Sequence, residues 1–213
     1  MKRKKKWIAM GSLLAILLVV TVIPTYSWLS SQTDPVVNSF AGGTISIALD
    51  EAKVDENGQK ITGDKAERVT SNSYKYVAGA VLDKDPTPTV LKGSEECYVF
   101  LCVENQLNDK FAINYDTESW LKVGEKGDKT VYAYKSKVNA LHAEKDVALD
   151  SIFTEITVSE ALTSDDVKQL GKKNLNVTAY AVQTASLKSD VAIDLAVINF
   201  LGEGITPVYV EIK

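Results

Sequence analysis

The sequence predicts a mainly β protein, an antiparallel, jelly-roll-like β-sandwich with two short helices, preceded by an N-terminal hydrophobic signal helix. Short segments that alternate apolar and polar residues, or that are rich in β-branched and aromatic residues, recur along the chain. Turn residues separate these segments, and only two stretches carry helix start and stop signals. Many short strands with few helices are typical of sandwiches and barrels rather than of alternating α/β folds.

The first 27 residues have the pattern of a secretory signal peptide. Five basic residues at positions 2–6 precede an uncharged run of 17 residues at 7–23. That run is long for a signal peptide and lies at the lower limit for a membrane span. Small side chains at Thr25 and Ser27 fit positions −3 and −1 of a cleavage point between Ser27 and Trp28. We therefore predict a secreted protein of the extracellular matrix or cell surface; the alternative is that the hydrophobic segment is retained as an anchor.

Charge and length limit what the mature chain can be. Removing residues 1–27 takes away five of the 24 basic residues and none of the 28 acidic ones, which leaves a net charge of −9. This charge excludes a broad electrostatic attraction to nucleic acid. The remaining length suits one domain with a sizeable core. The predicted organisation is a signal peptide at 1–27, an N-terminal extension at 28–43 and a β-sandwich domain at 44–213.

The predicted strands differ in how much of each face is apolar. In 44–49 the residues Ile45, Ile47 and Leu49 share one face. Segment 97–104, "CYVFLCVE", is apolar on both faces, which predicts a central strand buried on both sides. Segment 129–136 alternates like a half-exposed strand. The full set of predicted strands is 44–49, 74–77, 88–92, 97–104, 111–115, 129–136, 151–158, 175–184 and 206–213.

One turn and two helices complete the predicted elements. Asn57-Gly58 predicts a two-residue hairpin loop, because both positions tolerate positive φ. Thr163 and Asp166 form a capping box that opens a short helix. A second helix is expected at 189–202, and the spacing favours one apolar face made of Val191, Leu195 and Ile198.

The two cysteines are expected to be isolated thiols. Cys97 and Cys102 lie five residues apart in one predicted strand, so they face opposite sides about 16 Å apart at about 3.3 Å per residue. That separation is beyond the reach of a disulfide. We expect both to pack as small apolar groups, with no disulfide framework.

The sequence offers no recognisable catalytic constellation. His142 is the only histidine, whereas zinc hydrolysis needs at least three ligands. No nucleophile elbow or glycine-rich phosphate loop occurs. We therefore expect a protein that is not an enzyme and that uses no cofactor or metal.

The N-terminal region resembles the TasA/camelysin family of secreted biofilm-matrix fibre proteins. The stretch "TYSW", a polar spacer and "VVNSFAGGTISIAL" follow the order found in that family. Its Asn-x-Phe-x-x-Gly-x-hydrophobic motif is matched by Asn38, Phe40, Gly43, Ile45 and Ile47. The Lys84-Asp85-Pro86 segment and the strand "LNVTAYAVQT" extend the resemblance over most of the chain.

The resemblance implies a jelly-roll subunit of extracellular fibres, with a dedicated signal peptidase of the SipW type. Family members polymerise by donor-strand complementation, so the expected partner is another copy of the chain; a minor fibre or anchor subunit is a further candidate. A membrane-anchored monomeric adhesin or binding module is the alternative. Camelysin is classed as a surface metalloprotease, but this chain lacks a zincin pattern and that activity is not carried over.

The segment from about residue 30 to 49 is the predicted assembly element. Its polar front half is poorly able to bury itself, yet it carries apolar anchors, and two glycines give a flexible joint before the first strand. The competing interpretation is that this stretch is the leader and first strand of a monomer. The predicted assembly residues are Val36, Val37, Asn38, Phe40, Gly42 and Gly43.

Overall fold

Twelve strands and two α-helices make up the described part of the chain. The computed structural model describes residues 30–32, 44–75, 77–170 and 173–213. The strands are β1 (Ser30–Gln32), β2 (Ile47–Ala52), β3 (Arg68–Val69), β4 (Val81–Asp83), β5 (Thr87–Val90), β6 (Cys97–Asn105), β7 (Phe111–Ile113), β8 (Trp120–Lys126), β9 (Lys129–Tyr134), β10 (Val147–Ala148), β11 (Glu155–Val158) and β12 (Leu175–Gln183). The helices are α1 (Ser164–Leu170) and α2 (Ser189–Leu201), and a 3₁₀ turn spans Gly63–Lys65.

The strands form three antiparallel sheets, which confirms the predicted mainly β fold and antiparallel sandwich. The largest has the order β1-β12-β6-β9-β8, the second has the order β10-β5-β2-β3, and the third has the order β4-β11-β7. The predicted signal helix at 1–27 lies outside the described residues, and only residues 30–32 of the predicted extension at 28–43 are described, as β1. Among the described helices none is long and apolar enough to cross a membrane.

Strand β6 is the centre of the largest sheet, as its sequence predicts. It pairs with β12 on one side and β9 on the other, and its first seven residues are all buried. Both faces of β6 are buried because the β10-β5-β2-β3 sheet covers one side of the five-stranded sheet and helix α2 covers the other. Cys97 lies in one core and Cys102 in the other, so the prediction of two isolated thiols is confirmed.

The sandwich core lies between the five-stranded sheet and the β10-β5-β2-β3 sheet. Odd-numbered residues of β6 face this core, because successive side chains of a strand point to opposite faces. Ile47 and Val90 face them from β2 and β5. The largest fully buried side chains of this core are Trp120, Phe153, Ile47, Leu101 and Ile152.

Helix α2 covers the other face of the five-stranded sheet, but the predicted contact face is only partly right: Leu195 packs against this core, whereas Val191 and Ile198 are exposed. Val191 is 37% exposed and Ile198 is 50% exposed. The residues that pack on the sheet are Ala192, Ile193, Ala196, Val197 and Leu201. The helix is apolar nearly all round, so periodicity alone could not choose its buried side. The structure selects the face with two alanines, whose small side chains allow close packing.

Several strand predictions also need correction. Segment 206–213 is extended but forms no strand; Val208 N–H donates to Val123 O at 2.8 Å, and the tail buries Ile212 against the sheet. Tyr74, Lys75 and Val77 lie outside the strands. Residues 129–134 are buried on both faces rather than half-exposed, because α2 and the sandwich core cover opposite sides of β9. Strand β8 was missed.

The Asn57-Gly58 turn exists, but its loop has three residues rather than two. Asp55 N–H donates to Gln59 O at 2.9 Å, and Gly58 N–H donates to Asp55 O at 3.1 Å. Only Gly58 has a positive φ, +77°, so the type I′ geometry of a two-residue loop is not formed. Asp55 Oδ1 also accepts from the N–H groups of Asn57 and Gln59, which stabilises the longer loop.

The capping box that opens α1 is confirmed. Asp166 N–H donates to Thr163 Oγ1 at 3.2 Å, and Thr163 N–H donates to Asp166 Oδ2 at 2.8 Å. The Thr163 hydroxyl, which donates to Asp166 Oδ2 at 2.7 Å, and the Thr163 N–H hold the pKa of Asp166 below its usual value. The predicted bounds of α2 also agree with the structure, since Gly202 ends the helix with φ +81°.

Candidate functional site

A groove of about 830 Å³ runs beside strand β12. One wall is the first half of β12, at Leu175–Thr178, and the opposite wall is β2 with the segment Thr70–Tyr74. The small β4-β11-β7 sheet contributes Leu82, Phe111 and Ile156 to the lining. The groove therefore lies where all three sheets approach one another.

Part of the outer edge of β12 has no backbone partner among the described residues. Asn174 O accepts from Gln106 N–H at 3.1 Å, and Thr184 N–H donates to Glu96 O at 3.0 Å. Because backbone direction alternates along a strand, even-numbered residues of β12 bond to β6 and odd-numbered ones point away from it. Leu175 and Val177 therefore direct their backbone N–H and C=O groups away from β6.

Strand β1 is the neighbour of β12 on this edge, but it has only three residues against nine in β12. Within the ranges that the structure describes, Leu175 and Val177 make no outward backbone hydrogen bond. Their side chains pack partly against the sandwich core. The edge thus combines unpaired backbone groups with a half-buried apolar surface, next to the groove.

The groove is lined by both apolar and charged side chains. Apolar lining residues from five strands and the adjoining loops are Leu49, Leu82, Pro86, Leu107, Phe111, Ile156, Leu175 and Val177. Charged lining residues are Asp50, Glu51, Lys84, Glu104 and Lys173. Such a surface suits an extended chain whose alternate side chains are apolar.

A buried acidic residue, Glu51, lies in the wall of the groove. Its side chain is 6% exposed and pairs with Lys84, whose side chain is 11% exposed. Lys84 Nζ donates to Glu51 Oε2 at 2.5 Å, and Asn72 Nδ2 donates to Glu51 Oε1 at 3.0 Å. Asn72 also bonds to Ala52 O and accepts from Val54 N–H. Asn72 therefore fixes the segment Thr70–Tyr74 to β2.

Arg68 forms salt bridges with two acidic residues, Asp50 of β2 and Asp85, which follows β4. Its Nε donates to Asp50 Oδ1 at 2.6 Å, and its NH1 nitrogen donates to Asp85 Oδ2 at 2.9 Å. The other oxygen of Asp85 accepts from Ala52 N–H at 2.6 Å. The carboxylates of Asp50 and Asp85 raise the pKa of Arg68 against the opposing effect of its partial burial. The Lys84-Asp85-Pro86 segment is thus held to β2 by both of its charged residues.

Tyr74 also lines the groove, and its ring packs against the Lys84 ammonium group. Its ring centroid lies 5.7 Å from Lys84 Nζ, and its hydroxyl donates to Asp83 O at 2.9 Å. Burial, with a further contribution from the charge of Glu51, raises the pKa of Tyr74 well above its usual value. The phenol therefore stays protonated and acts as a hydrogen-bond donor.

The predicted site residues lie outside the described part of the chain. They are the cleavage residues Ser27 and Trp28 and the assembly residues Val36, Val37, Asn38, Phe40, Gly42 and Gly43. Their roles stay predictions. His142 lies in an exposed turn, and no group of three metal-ligating side chains occurs among the described residues.

Sequence reasoning missed Glu51, Arg68 and Asn72. Glu51 could have been identified from the sequence. It follows Ile45, Ile47 and Leu49 at the same two-residue spacing, so the alternation places a charged residue on the face that points inward. Arg68 and Asn72 could not be identified in this way, because their partners lie 17 to 21 residues away. Glu51, Asn72 and Lys84 line the groove, and Arg68 pairs with Asp50, which also lines it.

Comparisons of the chain with protein-family models, with curated proteins and with solved structures gave no match. The resemblance to the TasA/camelysin family rests on the sequence motifs alone.

Proposed function

We propose that this protein is a secreted structural subunit of extracellular biofilm-matrix fibres, which assembles head-to-tail by donation of its N-terminal strand. The observation that carries the proposal is the unpaired edge of β12 at Leu175 and Val177, beside an apolar groove. An unpaired edge of this kind is a template for a further strand. The predicted donor is the segment that precedes Thr44.

The chemistry of donor and groove is complementary. Val36, Val37 and Phe40 supply apolar side chains, and the groove supplies apolar walls from Leu49 and Phe111. Each backbone hydrogen bond contributes about 1 kcal/mol net. Burying one phenylalanine contributes about 1.5–3 kcal/mol more. A joint with several hydrogen bonds and one anchored aromatic ring is therefore stable enough to persist.

The geometry of this joint produces filaments. Donor and acceptor are different surfaces of the same chain, so the contact is heterologous. A heterologous contact that does not close into a ring extends without limit. The partner is thus a second copy of the chain, and an anchor or minor subunit would occupy only the ends of a fibre.

The test compares assembly by the mature chain and two donor variants. Phe40→Asp and deletion of residues 28–41 should leave the sandwich folded and abolish filaments in electron micrographs. Val191→Asp is a matched control, because it places a charge on the exposed side of α2 away from the groove. Filaments formed by both donor variants at the parent level would refute strand donation.

A further inference from the structure

Glu51 contacts two side chains that can react with each other. Lys84 Nζ donates to Glu51 Oε2 at 2.5 Å, and Asn72 Nδ2 donates to Glu51 Oε1 at 3.0 Å. One carboxylate therefore contacts both a primary amine and a carboxamide, one through each of its oxygens. We propose that Lys84 and Asn72 form an intramolecular amide cross-link and that Glu51 is its catalytic residue. The proposal does not depend on fibre assembly.

The reaction exchanges one carbon–nitrogen bond for another. The Lys84 ammonium passes a proton to Glu51, which leaves a neutral amine and a carboxylic acid. Nζ then attacks Asn72 Cγ, the new Nζ–Cγ bond forms, and the Cγ–Nδ2 bond breaks. Glu51 gives its proton to the leaving Nδ2 and then takes one of the two protons still on Nζ. One ammonia molecule is released, the new amide keeps one N–H, and Glu51 ends protonated. No oxidant or reductant takes part.

The surroundings favour each step. The two charged side chains are only 6% and 11% exposed, and a proton moving from Lys84 to Glu51 removes both charges from a site with little water. Val54 N–H donates to Asn72 Oδ1 at 3.1 Å. That donor points at the oxygen on which negative charge develops during attack, as in an oxyanion hole. Tyr74 packs over Nζ.

The cross-link would tie together two parts of the groove wall. Asn72 belongs to the segment Thr70–Tyr74, and Lys84 follows the end of β4. Their bond closes a covalent loop around residues 73–83. The segment Thr70–Tyr74 would then stay covalently linked to the residues that follow β4, even in the unfolded chain.

Peptide mapping of the purified full chain tests the proposal. Trypsin cuts after Arg68, Lys75 and Lys92, but it does not cut at an acylated Lys84. We expect one branched peptide that joins 69–75 to 76–92, lighter than the sum of its two parts by one ammonia molecule. The same mass deficit should appear in the intact protein.

Three variants distinguish this cross-link from other causes of a mass deficit. Glu51→Gln keeps the shape of the side chain but cannot shuttle the proton, so the branched peptide should be lost while circular dichroism shows a folded β protein. Lys53→Met removes an exposed ion pair with Glu67 and should retain the branched peptide. Asn57→Ala should also retain it; this control matters because an Asn-Gly pair can lose ammonia by forming a succinimide.

The outcomes are distinct. An unmodified mass in the folded wild-type chain would overturn the proposal, as would a mass deficit that maps to Asn57. A branched peptide at the wild-type level in Glu51→Gln would overturn the catalytic role of Glu51.

Discussion

Replacing Val177 with proline removes one outward N–H group from the edge of β12. The bonds from β12 to β6 use the even-numbered residues, so none of them is lost. Proline is tolerated at an edge strand where the missing N–H faces away from the sheet. Asn176 is already in a strand, the conformation that a residue before proline prefers. We therefore expect Val177→Pro to fold.

Val177→Pro should therefore weaken only the contact between subunits. A donor strand would lose one hydrogen bond, and its carbonyl group would be left unsatisfied in a half-buried groove, which costs about 1–3 kcal/mol. At about 1.4 kcal/mol per tenfold change, the critical concentration for polymerisation should rise about 5- to 140-fold. Steric contact between the proline ring and the donor strand should raise the critical concentration further.

The assay measures filament mass by sedimentation over a range of protein concentrations, with electron microscopy of each pellet. Val177→Thr is the matched control, because threonine has the shape of valine and keeps the N–H group. We expect Val177→Thr to polymerise near the parent concentration. Equal critical concentrations for Val177→Pro and Val177→Thr, with both proteins folded, would refute the assignment of this edge as the acceptor.

Two further predictions test the fold. Ile193→Ala should lower the free energy of unfolding by about 2–5 kcal/mol in urea titrations, because Ile193 belongs to α2 and is fully buried between the helix and the sheet. Ile198→Ala, on the exposed side of the helix, should cost under about 1 kcal/mol. Equal losses would contradict the observed helix face. Burial raises the pKa of Cys97 to about 12 and that of Cys102 to about 11, so neither thiol should react with iodoacetamide at pH 8 until the protein is unfolded. Alkylation of the native protein at the rate of a free thiol would contradict this packing.

Local sequence patterns determined the elements whose signals lie within a few residues of one another. The apolar run 97–104 predicts a central strand, because a strand without a polar face must be covered on both sides. The capping residues Thr163 and Asp166 lie one helical turn apart, so they identify a helix start without any distant partner. Gly202 ends α2 for a similarly local reason, since its φ of +81° suits glycine. The opposite placement of Cys97 and Cys102 followed from the two-residue period of a strand.

The tertiary structure decided everything that depends on which segments meet. Periodicity could not orient α2, because apolar residues surround the helix and only the sheet beneath it selects Ala192, Ile193 and Val197. The groove wall joins Glu51 to Lys84 and Asn72, which lie 33 and 21 residues away along the chain. Among the described residues, the open part of the β12 edge follows from the strand order, in which β6 lies on one side and the three-residue strand β1 lies on the other. A strand's sequence shows that it can pair, but the positions of all its neighbours determine which of its edges stays open.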